Sequence, residues 1–393
     1  MDIQQRVEYL INHPAMAAIW EYLDEVLLDI LASAILIQQI PAPTFNELVR
    51  ANHVLSRFGA CGLTDTGIDR LSNAAGRRPG SAPELPALLV SAHTDTVFPD
   101  GTDLTIRHEN DGRISGPGLG DNSLGVAALV ALADILRQFD ITTRRDIWFL
   151  ANSREEGLGD LGGIRGFYDT HRDRLGLAIV IEGLALGRVF HRGIAVRRLR
   201  IRMFGEGGHS WQHFGRPSAI HHLLKLGAQI TQLDVPETPR TTFNIGLISG
   251  GQSVNTIASE AEFYIDLRSE STDTLHALEQ RIRTLVEDNS TVEGITTQIE
   301  IVGDRPAGEL PADHPLVRGA TSALRAVGIE ATYETGSTDA NLLLANDLPA
   351  VTLGITTGGN AHQHNEYINT GPLKQGMRQV ILLALAAAEW EPA

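Results

Sequence analysis

The chain has 393 residues, 42% of them hydrophobic and 20% charged, so it is long enough for two domains and too apolar to be disordered. Its 48 acidic residues outnumber 32 basic ones, and a net charge of −16 argues against binding to nucleic acid or to an anionic membrane. The single cysteine, Cys61, excludes an intrachain disulfide and a cysteine-rich zinc site.

The start of the chain is helical in pattern. Apolar residues recur at helical spacing between Asp2 and Gln39, which predicts one or two amphipathic helices with a break at Pro14, and a further helix is predicted over Phe45–Phe58. The N-terminus lacks the basic start and apolar core of a signal peptide, and we find no run of about 20 apolar residues that would span a bilayer. We therefore expect a cytoplasmic protein without membrane contact.

Four short apolar runs predict strands that are buried on both faces, because their apolar residues are continuous and do not alternate. A helix is predicted over Ser123–Phe139, between the first two of these runs. Strands that alternate with helices predict an α/β sandwich with a parallel or mixed sheet. The runs are Ala87–Ala92, Asp146–Ala151, Leu177–Ile181 and Ala350–Ile355.

The middle of the chain predicts a second, smaller domain. Val196–Phe204 alternates apolar residues with arginines, which is typical of a strand with one solvated face; this interpretation is favoured over a nucleic-acid-binding stripe in so acidic a chain. We predict an α+β domain with one open sheet over residues 192–305, inserted into a larger domain of residues 1–191 and 306–393. Its other elements are helices over Pro217–Leu233 and Thr272–Glu287, and strands over Thr241–Ser249, Glu260–Arg268 and Thr296–Val302.

Acidic and histidine residues follow the carboxyl ends of the four buried runs. Ligands of open α/β sheets collect at that edge, and imidazoles with carboxylates suit Zn²⁺, Mn²⁺ or Co²⁺. Asp95 either accepts the second ring N–H of His93 or orients its loop. The residues are His93 and Asp95, Glu155 and Glu156, Glu182, His362 and, at the start of the predicted helix, Asp121.

Each of these signals has a simpler interpretation when taken alone. His93-Thr94-Asp95 fits a turn at a strand end, Glu155-Glu156 fits a solvated loop pair, and Asp121 fits a helix N-cap. The joint pattern is stronger than its parts, because all members fall at the same edge of the predicted sheet.

The motifs, in order along the chain, resemble those of the M20 zinc metallopeptidases. This family includes carboxypeptidase G, peptidase T, aminoacylases and succinyl-diaminopimelate desuccinylase. The matching segments are SAHTDTV, GLGDNSLG, NSREEGLGDLGG, IEG, GEGGHS, SVNTIASEAEFYIDLR, GSTDAN and GGNAHQHNE. The resemblance implies a zinc-exopeptidase-like α/β sandwich catalytic domain with an inserted α+β lid or dimerisation domain, and two divalent metal ions per chain, with zinc favoured over cobalt or manganese.

The resemblance also implies a role for each residue. His93 and Glu182 would bind one ion, Glu156 and His362 the other, and Asp121 would bridge them. Glu155 would be the general base, and His209 of GEGGHS would stabilise the oxyanion, although GEGGHS alone reads as a glycine-rich turn. His364 is a rival to His362, but the spacing His362-x-x-x-Glu366 favours His362.

Substrate recognition is assigned in the same way. Asn255 and Arg268 would reach toward the substrate, and Arg268 would bind a substrate carboxylate; the alternative is a surface pair of Arg268 with Asp266 or Glu270. Gly358 and Gly359 would add backbone N–H donors.

We predict a homodimeric hydrolase that cleaves an amide or peptide bond of a small substrate. The leading version is an exopeptidase for di- or tripeptides or related acylated amino acids. An N-acyl amino acid deacylase or ureide amidohydrolase is the alternative, and a non-catalytic protein that keeps the fold is a third.

Overall fold

The computed structural model describes residues 1–290 and 293–392, which form two compact units. Unit 1 comprises Met1–Gly193 and Gly308–Ala393, and unit 2 comprises Ile194–Ala307. The boundaries that we predicted lie two residues earlier at both junctions (191 against 193, and 305 against 307). Each unit has its own hydrophobic core.

The helices begin and end as follows. They are α1 (Ile3–Ile11), α2 (Ala15–Gln38), α3 (Leu48–Ala60), α4 (Leu124–Gln138), α5 (Gly162–His171), α6 (Ala219–Ile230), α7 (Thr272–Ser290), α8 (Pro315–Ala326), α9 (Ala340–Ala345) and α10 (Leu373–Ala387). Short helical turns occur at Leu119–Ser123, Gly157–Gly159 and Arg172–Arg174. The predicted break at Pro14 falls between α1 and α2.

The strands alternate with these helices along most of unit 1. They are β1 (Thr64–Ile68), β2 (Ala74–Arg78), β3 (Ala87–His93), β4 (Arg107–His108), β5 (Arg113–Ser115), β6 (Ile147–Asn152), β7 (Leu175–Glu182), β8 (Arg188–Gly193), β9 (Ala195–Gly205), β10 (Gly208–His209), β11 (Thr241–Gly250), β12 (Thr256–Ile257), β13 (Glu260–Ser269), β14 (Ile295–Arg305), β15 (Gly308–Glu309), β16 (Thr332–Gly336), β17 (Ala350–Gly354), β18 (Gly358–Gly359) and β19 (Tyr367–Asn369).

The main sheet of unit 1 is mixed, with the order β1-β2-β6-β3-β7-β17-β8-β15, and β16 also pairs with β8. The four strands predicted from apolar runs are its central neighbours β6, β3, β7 and β17, and they are mutually parallel. Every residue of β3 and β6 is buried, so both faces of the sheet centre are covered. The predicted α/β fold class is confirmed.

The helix after β3 corrects one expectation. Leu119–Gln138 is long and apolar enough to cross a membrane by length and composition, so the prediction that the chain has no such run was wrong. Most of this stretch is buried inside the protein. It comprises the turn at Leu119–Ser123 and α4, which contacts β3 and β7.

Unit 2 is built on a four-stranded antiparallel sheet with the order β11-β13-β9-β14. The alternating arginines of β9 lie on its partly exposed face, where Arg198, Arg200 and Arg202 pair with acidic residues of β13. The apolar residues of β9 face α6 and α7 in the core of the unit. The arginine row is therefore a salt-bridged strand face.

Candidate metal centre

The candidate centre lies at the carboxyl edge of the parallel strands of unit 1. His93 is the last residue of β3 and Glu182 the last of β7, while Glu155 and Glu156 follow β6. Because β6, β3 and β7 are adjacent and parallel, the three strand ends meet at one edge of the sheet. His362 follows β18 at positive φ (66°), a conformation that non-glycine residues adopt rarely and mostly at special sites.

Asp121 lies between the two histidines. Its Oδ1 is 3.1 Å from His93 Nε2, and its Oδ2 is 3.1 Å from His362 Nε2. His93 Nε2 also lies 3.6 Å from Glu182 Oε2, and His362 Nε2 lies 3.0 Å from Glu156 Oε1. The two oxygens of the Asp121 carboxylate therefore face two separate pairs of side chains. Oδ1 faces His93 with Glu182, and Oδ2 faces His362 with Glu156.

These contacts define three sets of side chains whose potential ligand atoms all lie within 4.8 Å of one another. All predicted metal ligands belong to at least one set, and so does Glu155. The sets are His93, Asp121 and Glu182; Asp121, Glu156 and His362; and His93, Glu155 and Glu156.

The geometry also indicates which nitrogen of His93 faces the centre. Its Nδ1 is 3.1 Å from the backbone carbonyl oxygen of Asp95, which can only accept a hydrogen bond, so Nδ1 carries the proton and donates it. In the neutral ring, which is the form that binds a metal, the lone pair of Nε2 is then directed toward Asp121 and Glu182. A ring N–H held by a carbonyl in this way is the usual orientation of a metal-binding histidine.

Charge is concentrated at this site. Hydrogen bonds to Asp121 and Glu156 raise the pKa of His362 to about 11. Burial, reinforced by the charge of Asp121, raises the pKa of Glu156 to about 7, and burial likewise raises the pKa of Glu182 to about 7. Burial opposes a charged His93, but Glu182 and Asp121 raise its pKa well above its ordinary value. A cation would satisfy these neighbouring carboxylates.

Asp95 orients the loop that carries Glu155 and Glu156. The backbone N–H groups of Glu155 and Glu156 donate to Asp95 Oδ1 and Oδ2, each at 2.9 Å, and the Arg154 N–H donates to Glu47 Oε1 at 3.1 Å. Burial opposes ionisation of Asp95, but bonds from His93 and from these N–H groups keep its pKa below the ordinary value. Three successive N–H groups are thus held by buried carboxylates.

Two residues at the centre were not assigned a role from sequence. Asn122 Nδ2 donates to the Ile181 carbonyl oxygen, and Asn122 Oδ1 accepts from the Gly183 N–H, both at 2.8 Å, so its side chain brackets Glu182. Glu366 Oε1 accepts from the N–H groups of Gly120 and Asp121. The available signals were the position of Asn122 next to Asp121 and the family-like spacing of Glu366 from His362.

The rival histidine lies apart from these sets. The ring of His364 packs against Phe98, with centroids 5.6 Å apart, whereas His362 contacts Asp121 and Glu156. Gly358 and Gly359 form β18 and pair with Ile368 and Tyr367. A Cβ at Gly358 would lie 2.1 Å from the Tyr367 carbonyl oxygen, so this position requires glycine for packing.

The other predicted residues belong to unit 2. His209 Nδ1 accepts from the Trp211 N–H at 3.2 Å, which leaves the proton of a neutral ring on Nε2. The Asn255 carbonyl oxygen accepts from the Ser210 N–H, so the loops that carry His209 and Asn255 are adjacent. Arg268 Nε donates to Asp266 Oδ2 at 2.6 Å, the surface pair considered as the alternative, and its side chain is 43% exposed.

An α/β fold that gathers histidines and carboxylates at the carboxyl edge of its parallel strands has the arrangement of a metal site. The model of peptidase family M20/M25/M40 matches residues 89–386 of the chain. The chain therefore belongs to this family, and the family resemblance and the predicted enzyme class, a hydrolase of C–N bonds, are confirmed.

Individual relatives agree with this assignment. The chain is 30% identical over 314 residues to the acetylornithine deacetylase of Klebsiella pneumoniae, which covers 75% of this chain and 79% of the relative. The dipeptidase Dug1p of Saccharomyces cerevisiae aligns with a TM-score of 0.77 at 14% identity, covering 95% and 98% of the two chains. A Staphylococcus aureus tripeptidase aligns with a TM-score of 0.72 at 21% identity, covering 92% and 98%. These structural matches establish the fold.

Proposed function

We propose that the chain is a two-metal amidohydrolase that cleaves the amide bond of N-acyl amino acids. The observation that carries this proposal is Asp121, which presents one oxygen to His93 and the other to His362. The identity to acetylornithine deacetylases favours the deacylase over the exopeptidase, which was the leading prediction from sequence.

The donor set fits two divalent ions. His93 and Glu182 would hold one ion, Glu156 and His362 the other, and Asp121 both; imidazole and carboxylate ligands are those preferred by zinc, with cobalt or manganese as alternatives. When bound, such ions polarise a carbonyl group and lower the pKa of water toward neutrality.

Glu155 would act as the general base. It is buried, belongs to the set with His93 and Glu156, and its backbone is held by Asp95. Its carboxylate would take a proton from the attacking water and pass that proton to the departing amine. His209, with its proton on Nε2, would donate to the oxyanion.

Substrate recognition would fall to unit 2 and to β18. The planar guanidinium of Arg268 would donate two parallel hydrogen bonds to the free carboxylate of the substrate. The substrate would then replace Asp266 as the partner of Arg268 or share Arg268 with it. Asn255 would contact the substrate beside it, and the backbone of Gly358 and Gly359 would add N–H donors. We also propose a two-fold homodimer, the commonest symmetry of homo-oligomers.

The first test combines metal analysis with two neighbouring substitutions. Purified protein should contain two divalent ions per chain or recover activity when Zn²⁺, Mn²⁺ or Co²⁺ is added after chelation. Glu155→Gln should lower kcat at least about 10²-fold with unchanged metal content, because it removes only the proton acceptor. Glu156→Gln is the matched control and should lose metal. Normal turnover by Glu155→Gln, or no metal dependence at all, would contradict the mechanism.

The second test distinguishes deacylase from exopeptidase. An N-acetyl amino acid and the corresponding glycyl dipeptide differ only by one amino group on the acyl side. We expect kcat/KM to favour the acetyl compound across a series that includes N-acetylornithine. A consistent preference for the glycyl dipeptides would support the exopeptidase instead, and turnover of ureides alone would support the ureide amidohydrolase.

A further inference from the structure

Glu366 is a fully buried carboxylate beside the metal centre that is not one of its candidate ligands. Its Oε1 accepts the N–H of Gly120 at 2.7 Å and the N–H of Asp121 at 3.0 Å. Its backbone carbonyl oxygen accepts the N–H of Gly116 at 2.8 Å. Glu366 therefore binds the loop of Asp121 at three points.

The same residue is tied to the turn that carries His362. The Glu366 N–H donates to the Gln363 carbonyl oxygen at 2.9 Å, and the Gln363 N–H donates to the Asn360 carbonyl oxygen at 3.0 Å. Glu366 thus belongs to the turn that presents His362 and holds, through its side chain, the loop that presents Asp121. The two presented side chains meet at 3.1 Å.

A glutamate at this buried position lowers the stability of the folded protein. Glu366 Oε2 is buried and has no hydrogen-bond partner within the part of the chain that the structure describes. A buried carboxylate with one unsatisfied oxygen destabilises a folded protein, so packing alone gives no reason for it. An apolar residue of similar size could not accept hydrogen bonds from two backbone N–H groups, and Glu366 does.

We propose that Glu366 is a positioning residue that sets the distance between Asp121 and His362 and thereby sets the metal affinity of the centre. This inference rests on the proposed function, because it assumes that Asp121 and His362 bind metal. Partners of this kind, one contact removed from the ion, typically change metal affinity 10- to 100-fold when they are altered.

Two conservative substitutions separate the contact from the charge. Glu366→Gln removes the charge but keeps an oxygen that can accept from Gly120 and Asp121. Glu366→Asp keeps the charge but withdraws the carboxylate by one methylene. Glu279→Asp is the matched control, since Glu279 is a buried glutamate of unit 2 whose partners are Arg197 and Arg283.

The measurement is the affinity of the whole, metal-free chain for Co²⁺. Binding is detected by the visible absorption of bound Co²⁺ while a chelator competes for the ion. We expect Glu366→Asp to weaken binding about 10- to 100-fold and to alter the Co²⁺ spectrum, as for other groups that orient ligands. Glu366→Gln should bind with nearly wild-type affinity, and Glu279→Asp should be unchanged.

Different failures have different meanings. Wild-type protein that binds no Co²⁺ would overturn the proposed function itself. Wild-type binding with an unaltered Glu366→Asp would overturn only the role of Glu366. A loss in Glu366→Gln equal to or larger than that in Glu366→Asp would also overturn it, because the charge and not the contact would then govern affinity. Circular dichroism of each variant verifies that it is folded.

Discussion

Asn122→Ala should destabilise unit 1 and weaken its metal centre together. The Asn122 side chain makes two hydrogen bonds of 2.8 Å to the backbone on either side of Glu182, and it is fully buried. Gly125 makes room for it, since a Cβ there would lie 2.1 Å from Asn122 Oδ1. The loop and the end of β7 are thus joined through this one side chain.

The magnitude follows from the groups left behind. Alanine leaves the Ile181 carbonyl and the Gly183 N–H buried without these partners, and each such group costs about 1–3 kcal/mol, so the free energy of unfolding should fall by about 2–6 kcal/mol. Water entering the vacated space would bring the loss toward the lower value. Zn²⁺ affinity should fall as well, because Glu182 is no longer held on both sides.

Urea unfolding monitored by tryptophan fluorescence measures this loss. Trp20, Trp148 and Trp390 lie in unit 1, and Trp211 in unit 2 is 86% exposed, so a Trp211→Phe background makes the signal specific for unit 1. Asn46→Ala is the matched control, because Asn46 is exposed and should change stability by no more than about 0.5 kcal/mol. A loss below about 1 kcal/mol for Asn122→Ala, with unchanged Zn²⁺ affinity, would refute this reasoning.

Three further predictions concern pH, assembly and specificity. The pKa of Glu156 is raised to about 7 in the folded protein, so the free energy of unfolding should fall as the pH rises from the ordinary pKa of a glutamate to about 7. The pKa of His362 is raised as well, so the stability that it contributes should be lost as the pH rises above the ordinary pKa of a histidine. The melting temperature of metal-free protein should therefore decrease from pH 5 to pH 9, and Zn²⁺ should reverse this trend; a metal-free melting temperature that rises with pH would contradict it. Mixing inactive Glu155→Gln and inactive His209→Ala chains should restore some activity if His209 serves the partner's site, whereas no recovery despite demonstrated subunit exchange would favour a His209 that acts within its own chain or has no catalytic role. Arg268→Lys should lower kcat/KM for substrates with a free carboxylate but not for their C-terminal amides, and equal handling of both by wild type would exclude carboxylate recognition by Arg268.

The sequence predicted the central strands well because their signal is local. Runs such as Ala87–Ala92 are continuous and apolar, and β3 accordingly has every residue buried. The acidic and histidine residues that follow the carboxyl ends of these runs then predicted which side chains would meet. By contrast, β4 and β18 have two residues each, too few to carry a periodic pattern.

The residues that hold the candidate ligands could not be predicted in the same way. Asn122 acts on backbone about 60 residues away, and Glu366 acts on backbone about 245 residues away. Neither contact leaves a local pattern, because the sequence does not distinguish a polar residue that holds a candidate ligand from one that only lies near it. Asp95 shows the same limit, since the sequence left open whether it accepts from His93 or orients a loop, and the N–H groups that its carboxylate accepts lie about 60 residues away.

The insertion of unit 2 into unit 1 has a consequence for how the centre is made. The residues His93, Asp121 and Glu182 all precede Ile194–Ala307 in the chain, whereas His362 and Glu366, which holds the loop of Asp121, both follow it. At about 5–20 residues per second, a ribosome needs roughly 10–40 s to add the 180 residues from position 182 to position 362. For that time a nascent chain has the residues of the first set but lacks the C-terminal segment whose Glu366 holds the loop of Asp121, so the candidate centre can take its final geometry only after that segment has been made.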